Sequence, residues 1–115
     1  MPSKPTAQIY RESDIKTAGK LKSLLLLFDR ALVLLHEARD NEKKRGPNIV
    51  KVQNILAQFE HSLDFESGGL AGDLFFLYDY LFEELQRRDE RAIDTALRMV
   101  GDLRTAFAAV CRKPE

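Results

Sequence analysis

Apolar residues recur at spacings of three and four along four separate segments of this chain, which is the period of a helix that buries one face. No proline interrupts these segments, and no alternating strand pattern competes with them. Short connections make consecutive helices antiparallel. The sequence therefore predicts an all-α protein, an antiparallel up-down four-helix bundle. The first, third and fourth predicted helices run from about Thr17 to Arg39, Leu70 to Gln86 and Glu90 to Arg112. The second carries the apolar stripe Ile49, Val52, Leu56, Phe59 and Leu63.

The breaks between the segments carry recognisable helix-end signals. Thr17 and Asp89 have side chains that suit the N-cap of the first and the fourth helix. Residues 40–48 form a charged stretch, interpreted as a loop that ends at Pro47, because proline suits the first turn of a helix. Gly68-Gly69 separates the second helix from the third.

The first twelve residues differ from the rest. They hold two prolines and mixed polar residues around Ile9 and Tyr10. Residues 1–12 are therefore predicted to be an N-terminal arm or cap, and residues 13–115 the helical domain. The two apolar side chains of the arm are expected to dock on the bundle.

Charge and cysteine content limit the classes of function. Eighteen basic residues balance eighteen acidic ones, so the chain lacks the basic excess typical of nucleic-acid binding. The longest apolar stretch, residues 24–35, is interrupted by Asp29-Arg30 and is too short to cross a bilayer. Cys111 has no second cysteine to pair with. A cytoplasmic protein that does not insert into membranes is expected.

The first and third helices carry more apolar residues than a bundle core requires. Burying one such side chain is worth about 1.5–3 kcal/mol, so these residues are expected to be covered rather than left in water. One interpretation is a groove for a partner's amphipathic helix, which the arm residues Ile9 and Tyr10 cover when it is empty. The other is burial within the fold or in a homodimer. The groove candidates are Leu26, Leu27, Val33, Leu34, Phe75, Phe76, Tyr80 and Phe82.

A short pattern occurs in both of these helices. Residues 24–29 read LLLLFD, and residues 74–79 read LFFLYD. The interpretation favoured by the pattern alone is that Asp29 and Asp79 mark the solvent side of each helix; a specific polar contact is the alternative.

Residues typical of catalysis are missing. Di-metal bundles use Glu-x-x-His pairs, but Val33 and Gln58 stand three positions before the two histidines. One cysteine and two scattered histidines do not suggest a zinc site. The residues from His61 to Phe65 weakly resemble a histidine phosphotransfer motif, with Asp64 in place of the lysine. No cofactor, metal or enzyme activity is predicted, and phosphotransfer remains a minor alternative.

The segment from Ser62 to Gly69, SLDFESGG, followed by Leu77-Tyr78-Asp79-Tyr80, closely resembles the FliS family, the flagellar export chaperones of flagellin. Other elements similar to that family are Tyr10, Thr17-Ala18, Leu27-Phe28-Asp29, Leu103-Arg104 and Phe107. Departures include Gly19-Lys20 in place of serine–proline and Phe28 in place of tyrosine, and they bear on client specificity more than on the fold.

The resemblance implies a four-helix bundle with an N-terminal cap that binds the disordered C-terminal region of flagellin in the cytosol. It further implies that binding prevents premature polymerisation and helps delivery to the flagellar export gate. A self-associating structural or adaptor module is the alternative from the residues alone, because the same apolar side chains suit a homodimer interface.

Overall fold

The computed structural model describes the backbone of residues 6–67 and 69–112, and the side chains of residues 20–66 and 69–110. Within these residues the chain forms four α-helices and a short 3-10 helix, with no β-strand. The predicted all-α four-helix architecture is thus confirmed. The elements are α1 (Thr6–Asp40), α2 (Glu42–His61), the 3-10 helix (Phe65–Ser67), α3 (Gly69–Leu85) and α4 (Glu90–Arg112).

The helices occupy the corners of a four-membered ring. Helix α1 packs against α2 and α4, and α3 packs against the same two neighbours. Across the diagonals, α1 and α3 make no backbone contact in the described part of the chain, nor do α2 and α4. The molecule is elongated, at 58 × 24 × 19 Å. No helix among the described residues has an apolar run long enough to cross a membrane.

Helix α1 is longer than predicted. It begins at Thr6, so the prediction of Thr17 as an N-cap is wrong. At about 1.5 Å per residue, α1 is roughly 20 Å longer than α2. Residues 6–12 of the predicted arm form its first turns. The side chains of Ile9 and Tyr10 lie outside the described residues, so their docking stays a prediction.

The predicted loop over residues 40–48 is wrong, because Asn41 alone separates α1 from α2. Its backbone is extended, and its Oδ1 accepts the N–H of Lys43 at 3.0 Å. Its own N–H donates to the Glu37 carbonyl at 2.9 Å. The Nε of Arg45 donates to the Ala38 carbonyl at 3.1 Å. These bonds satisfy groups that helix ends otherwise leave unpaired, so one residue suffices for the turn.

Pro47 lies inside α2 rather than in its first turn. Proline has no N–H, so the Lys43 carbonyl lacks its usual partner within the helix. The next residue, Asn48, is buried and joins α2 to α1. Its Nδ2 donates to the Leu34 carbonyl at 3.0 Å and to Glu37 Oε2 at 3.1 Å.

The core is one cluster to which all four helices contribute. Its centre is a chain of aromatic rings with one ring from each helix. The Phe59 ring lies 4.6 Å from the Phe28 ring and 5.3 Å from the Tyr78 ring, and the Phe107 ring lies 5.5 Å from Phe28. Each such pair contributes about 0.5–1.5 kcal/mol of stability in addition to the free energy of burying its apolar area. The aromatic chain therefore links the four helices directly.

Leu70 and Val110 continue the apolar spacing of α3 and α4, but both side chains are exposed. Leu70 is 70% exposed and Val110 is 59% exposed. Leu70 is the second residue of α3, and Val110 lies two residues before the end of α4. In α1, Leu34 lies within the core, and Leu32 is partly buried against it.

The connection from α3 to α4 agrees with the prediction. Asp89 caps α4, because its Oδ1 accepts the N–H of Ala92 at 2.8 Å. This hydrogen bond, with the positive charge of Arg87, lowers the pKa of Asp89. Helix α3 is also held to α2, since Nε2 of the buried Gln53 donates to the Phe82 carbonyl at 3.1 Å.

Candidate functional site

The bundle leaves several large apolar side chains in contact with solvent. Four of the predicted groove residues are among them. Leu26 is 70% and Phe76 is 75% exposed, and Val33 and Tyr80 are each 50% exposed. The other exposed large apolar residues in the described part of the chain are Val50, Phe65, Leu70 and Val110.

Leu26 and Val33 form what we call the α1 face. They are seven residues apart and so lie on the same side of α1. The residues that follow them, Leu27 and Leu34, lie about 100° around the helix, towards the core. Leu27 packs partly buried against the core, and Leu34 is 3% exposed within it. Leu34 is therefore a core residue in this structure and not part of an open groove.

Phe76 and Tyr80 form the α3 face, one helical turn apart. Phe82 is turned inward and packs partly buried against the core. Phe75 is half-buried, and its ring lies 6.4 Å from Phe76 and 5.9 Å from Phe65. Sequence reasoning missed Phe65, which extends the aromatic surface onto the 3-10 helix. The one sequence feature that could have indicated Phe65 is that it is an aromatic residue in a connection between two predicted helices.

The two faces do not form one groove. Helices α1 and α3 occupy opposite corners of the ring and make no backbone contact among the described residues. A partner that covers both faces must therefore pass around the bundle.

The repeated aspartates differ in their surroundings. Asp29 was predicted to mark a solvent side, but its carboxylate is held by Arg104 of α4. The distances are 2.9 Å from Nε to Oδ1 and 3.4 Å from Nη2 to Oδ2. This bond raises the pKa of Arg104. Asp79 is exposed. Partial burial of Glu60 raises the pKa of that carboxyl, and the negative charge of Asp79 raises it further.

The segment Leu77-Tyr78-Asp79-Tyr80 divides between core and surface. Tyr78 is fully buried, and burial raises the pKa of its phenol to about 12. Asp79 and Tyr80 are exposed on the outer side of α3. One short motif thus supplies both the aromatic core and part of the α3 face.

A shallow cleft lies at the turn between α1 and α2. Its volume is about 330 Å³, and Val33 of the α1 face contributes to its wall. The other lining residues are His36, Glu37, Asp40, Asn41 and Lys44. No group of three or more histidine, cysteine or acidic residues in the described ranges is placed to share a metal ion. The cleft adjoins the α1 face at Val33.

Residues 2–114 match the model of the family described as "Flagellar protein FliS". No curated protein matches the chain.

Proposed function

Because this chain belongs to the FliS family of flagellar export chaperones, we propose that it binds the C-terminal segment of flagellin in the cytosol. Binding keeps flagellin from polymerising before export and presents it to the flagellar export gate. The family is one of chaperones rather than enzymes.

The observation that carries this proposal is the exposure of Phe76 and Tyr80 on α3. Fully burying a side chain of this size is worth about 1.5–3 kcal/mol. A soluble monomer gains nothing from leaving such residues in water, whereas a helix-binding protein gains affinity by covering them.

The α1 face supplies a second docking position. Leu26 and Val33 lie two helical turns apart, a spacing that suits the apolar stripe of a partner helix. A disordered segment that folds on binding can wrap a large surface, and the opposite positions of the two faces favour such a partner. Part of the free energy gained by burying apolar surface offsets the conformational entropy that the segment loses when it folds.

The partly buried groove candidates Leu27, Phe75 and Phe82 are proposed to form the edges of the docking surfaces. Ile9 and Tyr10 are proposed to cover part of the surface in the absence of flagellin and to be displaced by it. In contrast, the buried side chain of Leu34 is left out of the proposed surface.

The test is binding of a fluorescent peptide from the C-terminus of flagellin, measured by anisotropy. Leu26→Asp and Phe76→Asp should each weaken binding, and the double variant should abolish it, because aspartate prevents apolar burial at both faces. Val110→Asp is the matched control, since Val110 is also exposed but lies outside both faces. Circular dichroism checks that each variant stays helical.

If the double variant binds the peptide like the unmodified chain, the surface assignment is wrong. Self-association is the competing function and uses the same side chains. Light scattering separates the two, since a stable dimer that Phe76→Asp dissociates would support the structural module instead.

A further inference from the structure

The charges of this neutral chain are unevenly distributed. No lysine or arginine occurs from Val52 to Gln86, whereas seven of the eighteen acidic residues lie there. Because this stretch includes all of α3, one corner of the bundle is strongly acidic and the remainder of the chain carries the balancing positive charge.

Three of these carboxylates surround the α3 face. Asp73 precedes Phe76 by three positions and Glu83 follows Tyr80 by three, so all four lie along one side of the helix. Asp79 lies beside them, and all five side chains are exposed.

These carboxylates have no basic partner among the described side chains, since no lysine or arginine there forms an ion pair with Asp73, Asp79 or Glu83. Glu84, in contrast, is paired with Arg87 at 3.0 Å. The outer side of α3 thus combines exposed aromatic rings with unpaired negative charge.

We propose that the α3 face docks a cationic amphipathic helix, whose apolar stripe covers Phe76 and Tyr80 while its flanking lysines or arginines pair with the three carboxylates. The inference rests on the proposed function, since it names the chemistry of the segment that docks there. Such a partner matches both the apolar and the electrostatic character of the surface.

Charge complementarity selects this occupant over others. A neutral apolar helix would partly desolvate three carboxylates without pairing them, which is unfavourable. An acidic segment or an anionic membrane surface would be repelled. A second copy of this chain remains a distinct outcome, because its positive charge lies outside the acidic stretch.

Two synthetic amphipathic helices test the proposal with the full chain. They share one leucine stripe over about eighteen residues; one has lysines beside the stripe and the other has glutamines. In about 50 mM salt, where the screening length is long, the lysine peptide should bind about five- to tenfold more tightly. The ratio of the two dissociation constants should approach one in about 1 M salt, where the screening length is near 3 Å.

A charge-neutralised variant locates the effect. Asp73→Asn, Asp79→Asn and Glu83→Gln together should remove the preference for the lysine peptide and leave the affinity for the glutamine peptide unchanged. These substitutions preserve side-chain size at exposed positions, so the fold is retained.

The matched control removes three exposed acidic residues elsewhere, through Asp40→Asn, Glu42→Gln and Asp102→Asn. It should keep the preference, because net charge changes by the same amount at a distance from α3. Equal binding of the two peptides, failure of both to bind, or equal loss of preference in the two triple variants would overturn the proposal.

The flagellin peptide, measured in parallel, separates this inference from the proposed function. Binding of flagellin through Phe76 without a preference for lysine would leave the function intact and overturn the inference. A preference for the lysine peptide without flagellin binding would support the inference and contradict the proposed function. A dimer that dissociates when the three carboxylates are neutralised would assign the face to a second copy and overturn the inference.

Discussion

Arg104 of α4 and Asp29 of α1, which are 75 positions apart in the chain, form a two-bond ion pair across the helix interface. Ten residues along α1, Arg39 pairs with Asp94, which precedes Arg104 by ten residues on α4. The two pairs therefore share one antiparallel register. A parallel arrangement in that register would place aspartate against aspartate and arginine against arginine, so the pattern favours the observed orientation.

The first prediction concerns this pair. Both side chains are partly exposed, so Arg104→Ala should lower thermal stability only slightly, and less at high salt. The exchange Asp29→Arg with Arg104→Asp should recover part of the loss. A double-mutant cycle of urea midpoints at low salt measures the coupling, and a coupling of zero would contradict a role for the pair.

The second prediction concerns the aromatic chain. Phe59 contacts rings on two other helices, so Phe59→Ala should reduce the free energy of unfolding by about 3–5 kcal/mol. Val50→Ala, at an exposed site on the same helix, should change it by less than about 1 kcal/mol. Urea denaturation measures both. Similar losses in the two variants would show that the rings do not organise the core.

The third prediction concerns pH. A tyrosine in an unfolded chain has a pKa near 10, whereas burial raises the pKa of Tyr78 to about 12. The folded state retains the proton more tightly, so the contribution to stability is complete below pH 10 and is lost as the pH rises towards 12. Over this range the free energy of unfolding should fall by up to about 2–3 kcal/mol from this group.

Comparison with Tyr78→Phe isolates that contribution, because phenylalanine cannot ionise. In Tyr78→Phe the free energy of unfolding should fall less steeply between pH 10 and pH 12. Tyr80→Phe, at an exposed position, should show the same fall as the original chain. Denaturation midpoints between pH 9 and pH 12 provide the measurement. Parallel curves for the original chain and Tyr78→Phe would mean that the phenol ionises without cost in the folded state.

The fourth prediction concerns the turn between α1 and α2. Asn48 is buried and donates to both Leu34 and Glu37, so Asn48→Ala should cost about 1–3 kcal/mol of stability. Asn54→Ala is the matched control, with the same substitution at an exposed position of α2. Equal urea midpoints for the two variants would rule out a structural role for the Asn48 bonds.

Much of the fold could be predicted from local pattern. The four helices, the Asp89 cap and most core residues of α2 follow from apolar spacing and capping chemistry, which act within a few residues. The turn at Asn41 could not, because Pro47 and the charged residues around it suggested a loop. The bonds from Arg45 and Asn48 that make the shorter turn stable go to α1 and exist only after the helices pack.

The candidate site was only partly predictable for a similar reason. Helical spacing identified an apolar excess on α1 and α3 but not which side chains point outward, so exposed Leu26 and buried Leu34 were assigned together. Phe65 belongs to no helical stripe, and its place beside Phe75 depends on how the 3-10 helix packs.

The sequence by itself determined the helical class, the number of helices and the presence of more apolar surface than the bundle needs, since these depend on composition and short-range spacing. The tertiary structure decided the rest. It placed α1 and α3 at opposite corners, paired Asp29 with Arg104 and left Asp73, Asp79 and Glu83 without a basic partner among the described residues. Those relationships join residues that are distant in the chain, and only the packing of the helices brings them together or keeps them apart.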